Sequence, residues 1–315
     1  MQDKIYGILI GAAVGDALGA PHEFQTLPYT GQFQYKSRRY QRFQKVYIVH
    51  QCGQYTDDTE MMMCLARSLN NYSQQKAVME YLEWCNSGVK SCGKNTKALF
   101  KGVKTFKGYQ TRAIKQFENN PSQSNGALMR CAIIATKDNW EEIAVEDCSI
   151  TNPDSICIEI NLVYLLAVRT ALLGCSDRKS IFETAKEYCI EDEVKEILFQ
   201  VEKGEFRDVT KSKGWCKHGF YCAFYSLLYC NSYKSAIDWT IKLGGDTDTN
   251  ACIVGALWGA LEGFQKINSS NKELVDTVLN CTTEAKVTET EIPTARPEKY
   301  RAHNLKILAE ELSKK

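Results

Sequence analysis

The chain has 315 residues, 44% of them hydrophobic, enough to bury a sizeable core as one large domain or two ordinary ones. Its 39 Lys+Arg nearly cancel its 38 Asp+Glu, and neither half is strongly basic, which argues against a protein built to grip nucleic acid. Fourteen scattered cysteines, without a Cys-x-x-Cys pair and with only four histidines, fit reduced thiols in a cytosolic setting better than a disulfide scaffold. Residues 1–20 carry no basic n-region or cleavage site, and no apolar stretch is expected to reach membrane-spanning length, so a soluble cytoplasmic protein without a membrane partner is expected.

The dominant period is helical. The first expected helix, 3–19, holds Gly7, Gly11, Gly15 and Gly19 every four residues, with Ala12, Ala13 and Ala17 among them. Residues four apart share a helix face, and each such glycine costs about 1 kcal/mol relative to alanine. Unusually close contact with another helix would offset that cost. Pro21-His22-Glu23-Phe24 follows, in which Glu23 alone reads as a surface acid. Gln32–Val49 is expected to be irregular or extended, and two-residue hairpin signals are absent.

The next expected helix, 58–72, opens at Thr56-Asp57-Asp58-Thr59. Asp57 as N-cap with Glu60 three residues on would make a capping-box start. Helices are then expected at 74–87, 94–103 and 125–136. The last is entered through Ser122-Gln123-Ser124-Asn125-Gly126, whose backbone amides suit an anion as well as a plain turn. Further helices are expected at 140–150, 161–173 (ended by Gly174), 179–189, 193–202, 218–231, 233–243, 249–264, 271–281 and 302–313. Gly255, Gly259 and Gly263 repeat the four-residue spacing late in the chain. No Gly/Ser/Pro-rich linker divides the array, so the expected fold is all-α, a single compact multi-helix domain over 1–315.

Two acidic clusters stand out: Thr56-Asp57-Asp58-Thr59, and Asp246-Thr247-Asp248-Thr249 after Gly244-Gly245. Each sets carboxylates between hydroxyls at a loop that opens onto an apolar run. Gathered carboxylates must be matched by cations or protonated. Hard oxygen donors without nearby His or Cys select Mg²⁺, Ca²⁺ or Mn²⁺ over zinc, which points to a metal-assisted hydrolase. The second cluster begins like a calcium EF-hand loop, but Ala251 holds the glycine turn position and Leu257 stands where a bidentate Glu is needed.

Four segments, taken in order, resemble the ADP-ribosylglycohydrolase family, which includes the dinitrogenase reductase-activating glycohydrolases. They are Gly7-Ile-Leu-Ile-Gly-Ala-Ala-Val-Gly-Asp-Ala-Leu-Gly-Ala-Pro-His-Glu-Phe24, Gly53-Gln-Tyr-Thr-Asp-Asp-Thr59, Asn125-Gly-Ala-Leu-Met-Arg130 and Leu243-Gly-Gly-Asp-Thr-Asp-Thr249. The likeness spans residues 7 to about 264. It implies an all-helical domain holding two Mg²⁺ ions, with Mn²⁺ as the substitute, at the base of an ADP-ribose cleft. By matched position it implies metal ligation by Thr56, Asp57 and Asp58 from one side and by Asp246, Asp248 and Thr249 from the other. Ser122, Asn125 and Gly126 match the loop that contacts diphosphate and ribose. Asp16 and Arg130 match positions that orient ligands and loops. Glu23 and Asp58 are the carboxylates expected to move the proton, from the attacking water or to the leaving group.

The chain departs from the family pattern in places. Ser124 replaces the usual glycine before Asn-Gly, and Thr151-Asn152-Pro153 stands where many members carry Thr-His. Position 123 is Gln, where the branch acting on serine-linked and polymeric ADP-ribose has an aromatic. Adenine stacking is then expected from Trp215 first, with Phe220 and Tyr221 as alternatives, although Phe220, Phe224 and Leu228 also form a core stripe. The resemblance implies partners that are ADP-ribose and an ADP-ribosylated protein. It implies hydrolysis of an N- or O-glycosidic bond, arginine-linked first because that ring is absent. Serine-linked or polymeric ADP-ribose, or ADP-ribose binding without catalysis, are the alternatives.

Overall fold

The computed structural model describes residues 1–24, 29–33, 36–39, 47–89, 92–119, 121–282, 284–286 and 294–314. Among them the α-helices are, in chain order, α1 (Gln2–Gly19), α2 (Asp57–Ser68), α3 (Gln74–Cys85), α4 (Lys94–Phe100), α5 (Phe106–Asn119), α6 (Leu128–Cys131), α7 (Trp140–Thr151), α8 (Ser155–Leu172), α9 (Arg178–Tyr188), α10 (Asp192–Glu202), α11 (Cys216–Tyr229), α12 (Tyr233–Lys242), α13 (Thr247–Ser270), α14 (Lys272–Asn280) and α15 (His303–Ser313). Ser73, Asp154, Asp177 and Ser232 fix four of the starts, each side chain accepting from a first-turn amide.

Most expected helices fall within about a turn of these bounds, with four differences, the first being that α8 starts at Ser155, six residues before the expected Asn161. Helix α5 lies outside the expected set, although Phe106, Tyr109, Ala113 and Phe117 recur at helical spacing and turn toward the core. The expected helix 125–136 is a single α-turn, α6, continued by a 3₁₀ segment, Ala132–Thr136. Helix α13 runs on to Ser270 past a break at Gly263, whose φ of 78° is left-handed. The fold is all-α with one small addition, an antiparallel sheet β1 (Lys36–Arg39), β2 (Tyr47–His50), β3 (Glu284–Lys286) and β4 (Thr294–Ala295) in that order. Ser37 pairs with Val49, Val49 with Lys286 and Ala285 with Thr294. Strands β1 and β2 lie in Gln32–Val49, where irregular or extended chain is expected, whereas β2 and β3 come from opposite ends of the chain and no local signal announces their pairing.

Helix α1 is buried on every side from Gly7 to Gly19, and its neighbour along most of its length is α13, antiparallel to it. The two glycine stripes face each other. A Cβ built on Gly11 would stand 2.2 Å from the Gly255 carbonyl oxygen, and one on Gly259 2.1 Å from that of Gly7. Gly15 abuts Ala251 and Gly19 abuts Thr247 in the same way, at 2.2 and 2.3 Å. Backbone therefore meets backbone over about four turns, a separation that any side chain would abolish. Tyr233 and Thr247 seal the pair, donating to the Gly11 and Gly19 carbonyls at 2.7 and 2.8 Å. The consequence is positional: the C-terminal end of α1, with Asp16 and then Glu23, lies beside the N-terminal end of α13, with Asp246 and Asp248.

Helix α8 has 18 residues at a mean hydropathy of 1.6, long and apolar enough to cross a membrane, which corrects the expectation that no stretch approaches that length. With 67% of it buried against the protein, it has the environment of a core helix.

Candidate active site

A cleft of about 750 Å³ opens where the two ends of the chain meet, and its wall includes Glu23, Thr56, Asp57, Asp58, Ser122, Ser124, Asn125, Gly126, Asp246, Asp248 and Thr249. Every residue expected to ligate metal, move the proton or contact substrate, apart from Trp215, shares this one surface, while Asp16, Gln123 and Asn152 stand behind it. Glu23, Asp246 and Asp248 each place a carboxylate oxygen within 4.8 Å of the other two. Glu23, which alone resembled an ordinary surface acid, is gathered here because Phe24 N–H donates to the Gly245 carbonyl at 2.8 Å.

The expected capping box at Asp57 does not form. The N-cap is Thr56, whose own hydroxyl caps nothing and instead donates to Asp16 and Asp58 at 2.8 Å. The orphan amides at the start of α2 are taken from outside the helix: Asp16 accepts from Thr56 N–H at 3.0 Å, Thr59 N–H at 3.1 Å and Thr59 hydroxyl at 2.6 Å. Glu60, the expected partner in the box, is drawn away by Arg296 at 2.8 Å and Trp84 Nε1 at 2.6 Å. Asp16 thus fixes the turn that presents Asp57 and Asp58.

The opposite wall is the loop 122–127, held by buried polar residues behind it. Arg130, fully buried, binds Asp147 at 2.9 Å and Thr151 hydroxyl at 3.0 Å, and also donates to the Gly126 carbonyl. Asn152, the departure from Thr-His, donates to the Ser122 carbonyl at 2.7 Å and to the Ser124 carbonyl and hydroxyl, each at 3.1 Å. Its amide does the work of a loop clamp, a role its sequence context did not reveal. Asn125 reaches across to Asp246, Nδ2 to Oδ2, at 2.8 Å.

Trp215 stands just behind this wall. Its indole N–H donates to Gln123 Oε1 at 3.1 Å, and its backbone bridges to Ser124, but its ring is not among the residues facing the cleft. Lys217 Nζ lies 4.4 Å from the ring centre and Arg207 Cζ 5.7 Å. Phe220 and Tyr221 are fully buried in α11 and face the core. Phe24, Cys92, Lys94, Gln116 and Lys213 also face the cleft, and none of them stands out in the sequence, because isolated residues from separate loops and helices carry no motif.

The electrostatics are those of a buried, crowded acid cluster. Burial raises the Asp58 carboxyl well above its usual range, and Asp16, Asp57 and Asp246 push the same way. Burial, Cys92, Asp16 and Glu23 do the same to Asp57, and burial and Glu23 to Asp246. Asp16 is lifted by burial to about 6, although four donors oppose the rise. Asp58 Oδ1 is buried without a hydrogen-bond partner. An orphaned carboxylate oxygen beside a three-carboxylate cluster is a donor set that fits a hard divalent cation.

Comparison with known proteins agrees with this geometry. A family model described as ADP-ribosylglycohydrolase matches residues 1–297. The chain is 26% identical over 281 residues to the ADP-ribosyl-[dinitrogen reductase] glycohydrolase of Rhodospirillum rubrum, covering 85% of this chain and 89% of that one. It is 26% identical over 292 residues to the ADP-ribosylarginine hydrolase Tri1 of Serratia proteamaculans, covering 84% and 73%. A solved structure titled an ADP-ribosylglycohydrolase-related protein complex superposes with a TM-score of 0.64 at 20% identity, covering 88% of this chain and 97% of that chain, and so shares the fold.

Proposed function

Because the chain belongs to the ADP-ribosylglycohydrolase family, we propose that it hydrolyses the bond between ADP-ribose and a modified protein side chain, arginine in the first place. The observation that carries this is the meeting of Glu23, Asp246 and Asp248 with Thr56–Asp58 on one cleft wall, opposite the loop Ser122–Gly126. The volume suits a nucleotide-sized ligand. The arginine preference draws on Gln123, where a stacking ring is absent, and on the likeness to a relative named for ADP-ribosylarginine.

Thr56, Asp57 and Asp58 would hold one side of a pair of divalent cations, Mg²⁺ or Mn²⁺, and Asp246, Asp248 and Thr249 the other, with Glu23 beside Asp246 and Asp248. Such cations supply Lewis-acid polarisation and make water more acidic. Ser122, Ser124 and Gly126 bind the diphosphate and ribose, while Asn125 ties that loop to Asp246. Breaking the glycosidic bond builds positive charge on the ribose, which the surrounding carboxylates stabilise. Asp58 or Glu23 would take the proton of the attacking water or deliver one to the leaving nitrogen. Trp215 acts through Gln123, fixing the edge of the loop. Residues 1–315 form one domain in this reading, supported by an apolar cluster that runs from Ile5 to Leu312. A cytoplasmic setting is part of the proposal and rests on composition.

The test is release of ADP-ribose from arginine-linked, serine-linked and polymeric substrates with and without EDTA. EDTA-sensitive release from the arginine-linked substrate is expected. Preference for serine-linked or polymeric substrate overturns the linkage, and binding of ADP-ribose without release from any substrate overturns the hydrolase.

A further inference from the structure

Phe24 is the single aromatic residue on the cleft wall among the described residues, and it is 41% exposed. Its φ is 55°, in the left-handed region that a phenylalanine adopts only under strain. Glycine or asparagine would hold that backbone at less cost, so the turn itself does not call for a ring. The position does: Phe24 follows Glu23 directly and its amide is bonded to the residue before Asp246, so the ring stands at the reacting end of the cleft.

Facing it is Lys213, whose ammonium lies 5.2 Å from the ring centre. Lys213 sits between Ser212 and Gly214, both at positive φ, on the loop that enters α11. Among the described residues no carboxylate pairs with this ammonium, which lies over the Phe24 ring. An exposed ring beside a carboxylate, already covered by a cation, is a cation-binding surface.

We propose that Phe24 and Lys213 form the leaving-group subsite, in which the ring takes the guanidinium of an arginine-linked substrate in place of the Lys213 ammonium. This rests on the arginine-linked reading above. A guanidinium is flat and weakly hydrated and stacks on a ring more readily than an ammonium does. The Glu23 carboxylate, one residue earlier on the same cleft wall, favours the same charge. Lys213 both marks the subsite and competes for it. A serine-linked leaving group brings no cation and gains nothing from the ring.

The experiment compares wild type, Phe24→Leu, Phe24→Trp and Lys213→Gln. It measures KM for ADP-ribosylarginine and for an ADP-ribosylserine peptide, and calorimetric binding of free ADP-ribose and of arginine methyl ester. Phe24→Leu should raise the arginine-linked KM about fivefold and weaken arginine methyl ester equally, with Phe24→Trp restoring both and Lys213→Gln lowering that KM. If free ADP-ribose affinity falls in step with the arginine-linked KM, the ring belongs to the ADP-ribose site and the subsite is overturned. Equal behaviour of the Leu and Trp variants overturns it too. Should wild type cleave no arginine-linked substrate, the functional reading falls by itself. The subsite then stands if arginine methyl ester binding depends on Phe24, and fails if that ester does not bind.

Discussion

Asp16 on α1 accepts the Thr59 hydroxyl on α2 at 2.6 Å, and with it the Thr56 and Thr59 amides. A helix start normally closed by its own N-cap is closed here by a neighbouring helix, so the two acids that follow are held to α1. That link joins the packing of the core to the geometry of the cleft.

Replacing Asp16 with Ala should therefore do two things. Three donors at the start of α2, the Thr56 and Thr59 amides and the Thr59 hydroxyl, lose their acceptor inside the protein while the Thr56 hydroxyl keeps Asp58, a loss of about 2–4 kcal/mol, and Asp57 and Asp58 lose their register. The expected outcome is a lower urea midpoint together with weaker Mg²⁺ binding by titration. A variant that loses stability yet binds metal as tightly as wild type would separate the cap from the site.

The glycine stripe gives a stability prediction. Gly11→Leu must force α1 away from α13, since the first carbon alone would lie 2.2 Å from a carbonyl oxygen. Overpacking of this kind costs about 1–3 kcal/mol, and more where backbone is the obstacle. Thermal melts should show a large fall for Gly11→Leu and Gly255→Leu alike. A melt unchanged in either would mean the helices tolerate separation.

Much of this was legible in the sequence, for identifiable reasons. Helices declared themselves by period, and the glycine stripes by a spacing too costly to be idle, which called for a close helix contact but did not say that α1 and α13 would be each other's partner. Asp246 and Asp248 announced themselves by crowding like charge. What stayed hidden was relational. Nothing local to Asp16 says that it caps α2, and nothing local to Asn152 says that it clamps the Ser122–Ser124 loop. The sheet pairs Val49 with Lys286, a contact no window of sequence contains. Helix α5 was missed through composition, because Gly108 and Thr111 diluted a correct apolar period.

Asp246→Asn tests the metal role directly. The change keeps the side chain's shape and removes a buried charge whose carboxyl is already raised by burial and Glu23. Turnover should be lost in saturating Mg²⁺, while in EDTA the variant should melt no lower than wild type. Wild-type turnover would exclude Asp246 as a ligand.

The acid cluster also predicts how metal and pH trade. Asp16 titrates near 6 in the fold against an ordinary value of 3.8, and Asp57, Asp58 and Asp246 are raised as well. A raised carboxyl stabilises the fold when protonated, and that stability is lost as pH climbs through the folded value. In EDTA the melting temperature should therefore fall as pH rises from about 4 to above 6. Mg²⁺ replaces the protons and should offset the loss, so the gap between Mg²⁺ and EDTA melts should widen over that window. A gap that stays constant from pH 5 to pH 8 would mean these acids do not share a cation.

Trp215 separates two ways of holding ADP-ribose. Its ring is flanked by Lys217 and stands behind the cleft wall, while its N–H holds Gln123 at 3.1 Å. If adenine stacked on the ring, Trp215→Phe would keep most of the affinity and Trp215→Ala would lose about tenfold, since base–aromatic stacking is worth about 1–3 kcal/mol. If instead the indole N–H sets the edge of the loop, the Phe variant loses the bond just as the Ala variant does, and both should weaken ADP-ribose by a similar factor. The geometry favours the second outcome. Calorimetric titration of ADP-ribose into the two variants decides it: a Phe variant that binds like wild type beside a weakened Ala variant would return the ring to the adenine site.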